Sequence, residues 1–150
     1  MDHQFFLFSL EGRRYAMRLQ AVDRVIPAVE ILPVPDKAEY LLGVINLQGR
    51  VIPVMNLRKK LGVGEKELAL DDKIIILRMM KWTIAIVVDA VEGVIERTEQ
   101  EVTPSRDITP LFESTEGVVK LDGEMALIFD IDRSLSPEEK SRFETVPAKE

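Results

Sequence analysis

The chain of 150 residues contains no cysteine. That removes disulfide frameworks, thiol nucleophiles and thiolate metal sites together, and it suits a reducing compartment. Histidine is nearly as scarce. The single one, His3, lies beside the N-terminus, where it is poorly placed to anchor a Ser-His pair or a metal site. No apolar run approaches the roughly 20 residues a membrane helix requires. The first eight residues, MDHQFFLF, lack the basic n-region of a cleaved signal peptide. There is no phosphate-cradling GxxxxGK[ST] loop, since Gly62-Val63-Gly64 lies in a charged stretch without the third glycine and lysine. One basic cluster, Arg58-Lys59-Lys60, is too short for a nucleic-acid face in a chain of net charge −6 and reads as a solvated helix surface.

With 46% hydrophobic and 31% charged residues, the composition is that of an ordinary globular domain. A chain this long buries about 68–70% of its extended surface and can fold without staples. The main positive feature is an internal repeat. Tyr15–Ile26 (YAMRLQAVDRVI) matches Ile84–Ile95 (IAIVVDAVEGVI) at an offset of 69 (84 − 15), with Ala16/Ala85, Ala21/Ala90, Val22/Val91, Val25/Val94 and Ile26/Ile95 identical. The runs Phe5-Phe6-Leu7-Phe8 and Ile74-Ile75-Ile76-Leu77 align at the same offset. Gly43–Leu61 (GVINLQGRVIPVMNLRKKL) matches Gly117–Leu135 (GVVKLDGEMALIFDIDRSL) at an offset of 74 (117 − 43). A unit of about seventy residues is duplicated.

Each unit is β-rich. Strands are expected at Gln4–Leu10, Tyr15–Leu19, Arg24–Leu32, Gly43–Leu47 and Val51–Val54, with counterparts at Lys73–Met79, Thr83–Val88, Gly93–Thr98, Gly117–Leu121 and Glu124–Phe129. The expected fold is all-β, two fused five-stranded barrels over about 4–70 and 72–135. Asp122-Gly123 is the strong two-residue hairpin signal, since a type I′ turn needs positive φ at both positions; Gln48-Gly49 is the weaker match, and Gly12 turns the first hairpin. Gly62–Asp72 is a charged connector, and Trp82 a rim residue near a hairpin tip.

Asn56 and Asp130 hold equivalent repeat positions, each after a strand and before a helical turn. A helix N-cap explains both an amide and an acid there, whereas a metal ligand or catalytic carboxylate explains only the acid. Asp130 with Asp132, or Asp71 with Asp72, could hold a hard cation, but neither pair sits in a dense ligand pattern. Ser136-Pro137-Glu138-Glu139 reads as N-cap, N1 proline and capping-box glutamate of a C-terminal helix over about 136–143, followed by a frayed tail to residue 150. No catalytic constellation, cofactor site or metal site emerges, and binding by barrel grooves and edges is the natural function.

Residues 43–58, GVINLQGRVIPVMNLR, closely resemble the signature of CheW-like domains, which usually reads G-V-x-N-L-R-G-x-[IV]-x-P-V-x-D-L-R. Ile31-Leu32-Pro33-Val34-Pro35 and Val87-Val88-Asp89-Ala90-Val91 are similar to the family too, and the resemblance runs over about residues 4–143. It implies two SH3-like barrels around a shared hydrophobic seam. Because the chain has no room for a kinase or receiver module, it further implies a non-enzymatic, cytoplasmic adaptor of chemotaxis signalling. Its partners would be the cytoplasmic tip of a chemoreceptor and the regulatory domain of the CheA histidine kinase, with no nucleic acid and no membrane insertion. A divergent adaptor of a non-flagellar pathway, or an acidic metal-dependent enzyme, are the competing readings. The receptor groove is expected around Val22, Arg24, Leu47, Gln48 and Gly49. Here the family usually carries arginine at position 48 and often an acid at position 24, so the positive charge has moved across the expected groove.

Overall fold

The computed structural model describes residues 3–34, 40–108 and 114–144, with the side chains of 142–144 excepted. Of the tail expected over residues 144–150, Glu144 is still helical and residues 145–150 lie outside the described residues, as does Pro35. Eleven strands run in order: β1 (His3–Leu10), β2 (Arg13–Arg18), β3 (Val22–Pro27), β4 (Leu41–Leu47), β5 (Arg50–Met55), β6 (Lys73–Arg78), β7 (Thr83–Val88), β8 (Ala90–Arg97), β9 (Val102–Pro104), β10 (Thr115–Lys120) and β11 (Met125–Phe129). Three short helices join them, α1 (Leu57–Leu61), α2 (Ile131–Ser134) and α3 (Pro137–Glu144).

Two sheets result, one ordered β8-β1-β2-β11-β10-β9 and the other β3-β6-β7-β5-β4. Each draws on both repeats. Hairpin β1–β2 of the first repeat sits in the second repeat's sheet, and hairpin β6–β7 of the second sits in the first's. A division near residue 70 therefore follows the sequence repeat, while the sheets cross it. The exchange keeps the repeat symmetry in detail. Val54 pairs with Ala85 in parallel, and its counterpart Ile128 pairs with Ala16. Both sheets carry a bulge at matching places, Asp23 being skipped in β3 and Glu92 in β8.

Strand expectations hold closely, with two differences. The third strand ends at Pro27, and Leu32 forms only a lone bridge to Val44, with N···O distances of 2.8 and 2.9 Å, that brings the chain after β3 back onto β4. In the other half the same bridge has grown into β9, whose Thr103 pairs with Val118 and makes that sheet six-stranded.

Strands β1 and β6 are buried on both faces, which is why they read as unbroken apolar runs. Phe5 and Leu7 face the interior of the six-stranded sheet with Ala16, Val119 and Ile128. Ile74 and Ile76 face the interior of the five-stranded one with Ile45, Ile52 and Val54. The intervening Phe6, Phe8, Leu10, Ile75 and Leu77 meet between the sheets with Met17, Ile84, Ile86 and Phe129. Trp82 is partly buried against this shared seam.

Turn chemistry departs from expectation at one hairpin. Gln48 and Gly49 have φ of 53° and 90°, as a type I′ turn demands, and Glu11-Gly12 match them at 52° and 75°. At Asp122-Gly123 only the glycine has positive φ, 77°, so the stronger signal does not make a type I′ turn.

The capping assignments are met. The Lys59 N–H donates to Asn56 Oδ1 at 3.1 Å, and the Asp132 and Arg133 N–H groups donate to Asp130 Oδ1 at 3.0 and 3.3 Å. Ser136 and Glu139 form the reciprocal box at 3.2 and 2.9 Å. The Lys60 ammonium reaches Glu139 at 2.7 Å, fastening α3 to α1.

Two carboxylates make the fold sensitive to acid. Asp72 is buried in the connector and accepts from Lys66 Nζ and the Ala69 N–H, each at 2.8 Å. For both Asp72 and Glu139 burial pushes the pKa up, but the lysine and backbone hydrogen bonds outweigh it and hold the group below its ordinary value. A depressed folded pKa contributes stability above the unfolded value of about 4 that is lost as pH falls through the folded one. The urea midpoint is expected to stay level above about pH 5 and to fall below about pH 4. Asp72→Asn with Glu139→Gln should flatten that slope. An unchanged slope in the double variant would locate the acid sensitivity elsewhere.

Candidate docking face on the edge strands

The five-stranded sheet brings the expected site residues to one of its ends. Strand β3 is antiparallel to β6, β6 to β7, and β5 to β4, while β5 and β7 are parallel. The start of β3 and the end of β4 therefore lie at the same end of the sheet. Val22 and Arg24 stand at one edge there, Leu47, Gln48 and Gly49 at the other, with β6, β7 and β5 hydrogen-bonded between them. Arg50 Nη2 donates to Thr83 Oγ1 at 3.2 Å, tying the two hairpins that share this end.

Val22 is partly buried and packs on the seam, and Leu47 packs on the interior of its own sheet. Arg24 is exposed, its guanidinium 3.7 Å from the Asp23 carboxylate beside it. Asn46 Oδ1 accepts from the Gly49 N–H at 2.8 Å and holds the turn, so Gln48 projects from a fixed backbone.

A stronger surface signal lies beside these residues. Strands β3 and β8 occupy equivalent edges of their sheets, and each presents a valine at the same repeat position. Val25 is 36% and Val94 51% exposed. Their neighbours Val22 and Val91 are partly buried against the seam. Each sheet thus offers an exposed valine on an edge strand, an apolar contact of the kind an amphipathic helix covers.

A family model for the CheW-like domain matches residues 4–139. The chain belongs to the CheW-like domain family. A chemotaxis protein CheW of Thermotoga maritima is 33% identical over 88% of this chain and 87% of its own. One from Bacillus subtilis is 30% identical over 90% and 88%. The crystal structure of the scaffolding protein TtCheW from Thermoanaerobacter tengcongensis superposes with a TM-score of 0.78 at 32% identity, covering 87% of this chain and 90% of that one.

In this CheW-like chain the basic cluster is not the solvated surface expected. The Arg58 side chain is only 11% exposed. Its Nη1 donates to Glu11 Oε2 and to Gly64 O, each at 2.7 Å, and its Nη2 to Asp89 at 2.9 and 3.1 Å. Burial works against the charged form, but the hydrogen bonds to Glu11 and Asp89 outweigh it and raise the pKa. The Glu11 N–H also donates to Asp89 Oδ2 at 2.8 Å. This clasp joins the β1–β2 turn, the β7–β8 corner, α1 and the connector. As to chemistry, Asp130 is spent on its cap and Asp72 on Lys66. Among the described residues no group of three or more His, Cys, Asp or Glu side chains is arranged to hold a metal ion. Nor is any helix there long and apolar enough to cross a membrane.

Proposed function

We propose that this chain is a non-enzymatic scaffold of bacterial chemotaxis, working in the cytoplasm to couple the tips of chemoreceptors to the regulatory domain of the CheA histidine kinase. The observation that carries the reading is a CheW-like domain match over residues 4–139, on a chain whose two sheets present matching valine edges. A receptor tip is helical, and a helix lays its apolar stripe along such contacts. Val25 and Val94 supply the apolar contacts, and Arg24 and Gln48 set the charge at the shared end. With arginine at 24 and a neutral residue at 48, the fitting receptor tip carries an acid facing Arg24.

Val25 and Val94 are the positions to test, because both reach the surface. Aspartate at Val22 would reach into the seam, and aspartate at Gly49 would strain a backbone with φ of 90°. Val25→Asp with Val94→Asp is expected to weaken binding of the receptor tip about tenfold to a hundredfold, roughly 1.4–2.8 kcal/mol, with an unchanged circular-dichroism melt. Binding of the kinase regulatory domain, titrated on the same protein, reports whether the loss is confined to the receptor. Full receptor affinity in the double variant would remove both valines from the site.

A further inference from the structure

Six methionines carry all the sulfur of this cysteine-free chain, and their surroundings differ sharply. Met17 and Met55 are 2% and 0% exposed, and Met79 is partly buried against the seam. Met125 is 65% exposed and Met80 100%, while Met1 lies outside the described residues. Met80 and Lys81 are the central residues of the β6–β7 turn, which the Met79 N–H closes by donating to the Trp82 carbonyl at 2.9 Å.

The place of that turn in the sheet gives Met80 a role. Leu77 near the end of β6 pairs with Val22 at the start of β3, and β7 begins at the same end as the parallel β5. In the order β3-β6-β7-β5-β4, the β6–β7 tip therefore stands at the end that carries the expected site residues. Val22 and Arg24 lie on one side of it, and Gln48-Gly49 on the other. Both flanks are braced, since Arg78 Nη2 donates to the Val22 carbonyl at 3.4 Å and Arg50 Nη2 to Thr83 Oγ1 at 3.2 Å. A helix crossing this end from Arg24 to Gln48 passes over Met80. A thioether on a flexible, unbranched side chain is an adaptable apolar contact for it.

We propose that Met80 is a contact of this docking end and that its oxidation by a peroxide weakens receptor docking, an inference that rests on the scaffold reading. The thioether sulfur attacks one oxygen of hydrogen peroxide. An S–O bond forms, the O–O bond breaks and the sulfur gives up two electrons. The second oxygen leaves as water, taking the proton of the first. The product is a sulfoxide, polar where the thioether was apolar, and covering it strips its oxygen of water. No thiol within the chain competes for the oxidant. Because Met80 is wholly exposed, the change leaves the fold intact, and methionine sulfoxide reductases can reverse it.

The full chain is treated with hydrogen peroxide, quenched with free methionine and mapped by peptide mass spectrometry. Met80 is expected to oxidise about tenfold or more faster than Met17 and Met55, with an unchanged circular-dichroism melt. The affinity of the treated chain for the receptor tip should fall about fivefold to tenfold. Met80→Leu should show no loss between its own untreated and treated states, whereas Met125→Leu should show the loss of the parent chain. A loss that persists in Met80→Leu, protection by Met125→Leu, or oxidation of Met17 or Met55 as fast as Met80 would overturn the proposal. Equal binding of the tip before and after Met80 is oxidised would also overturn it, and would leave the scaffold reading standing. A tip that fails to bind even the untreated chain would overturn both.

Discussion

Alanine at Gly43 or Gly117 is expected to cost about 3 kcal/mol or more at each position, among the largest effects of any single methyl in this chain. The two glycines are repeat equivalents and share a backbone conformation, φ of 154° and 155°. A Cβ on Gly43 would lie 2.2 Å from the Leu32 carbonyl oxygen, and one on Gly117 2.2 Å from that of Thr103. Neither oxygen can step aside freely. Leu32 O accepts from the Val44 N–H in the bridge that returns the chain after β3 to β4, and Thr103 pairs with Val118 in the matching place. Relief of the clash therefore opens the closure of a sheet. Gly12, with φ of 75° and nothing within 4 Å of its would-be Cβ, is the control. There alanine meets only the left-handed backbone penalty of about 1–2 kcal/mol. Urea denaturation of the three variants separates the causes. If Gly43→Ala cost no more than Gly12→Ala, close approach of the backbone would not be what requires glycine.

These glycines show why so much of the fold was legible. The repeat preserves the residues that fix local geometry, and runs such as Ile74 to Leu77 mark strands buried on both faces. The strand exchange was hidden for the same reason. Hairpins β1–β2 and β6–β7 present equivalent edges, so a duplicated sequence fits the exchanged and the unexchanged pairing alike. Only the global arrangement distinguishes them. The short strand β9 has three residues and too little alternation to register. At the candidate site, Val22, Arg24, Leu47, Gln48 and Gly49 came from resemblance rather than from pattern. Val25 and Val94 were visible as an identical pair, but a valine in a strand says nothing of exposure until the sheet order puts that strand at an edge. Arg58 was misread because its partners are remote in sequence, Glu11 by 47 residues and Asp89 by 31.

Arg58→Met is expected to destabilise the chain by about 2–4 kcal/mol, because it leaves two carboxylates facing each other without their cation. Methionine keeps much of the apolar stem, so the loss reads the guanidinium rather than the packing. Asp89 and Glu11 would then repel across the site that Arg58 now fills, and Gly64 would lose the donor that holds the start of the connector. Lysine should recover only part of the loss. An ammonium is a point charge, whereas the guanidinium reaches Glu11 and Gly64 through one nitrogen and both Asp89 oxygens through another. The coupling is measured by adding Asp89→Asn. The amide keeps an oxygen for the Glu11 N–H and removes the stranded charge, so the double variant should cost clearly less than the two single variants together. Amide exchange gives the location. Protection should fall first around residues 9–13 and 62–66, where the exchanged hairpin meets the connector, and later in the strands of the seam. Strict additivity in the cycle, with uniform loss of protection, would mean that Arg58 acts through general packing and that nothing clasps the hairpin in its exchanged position.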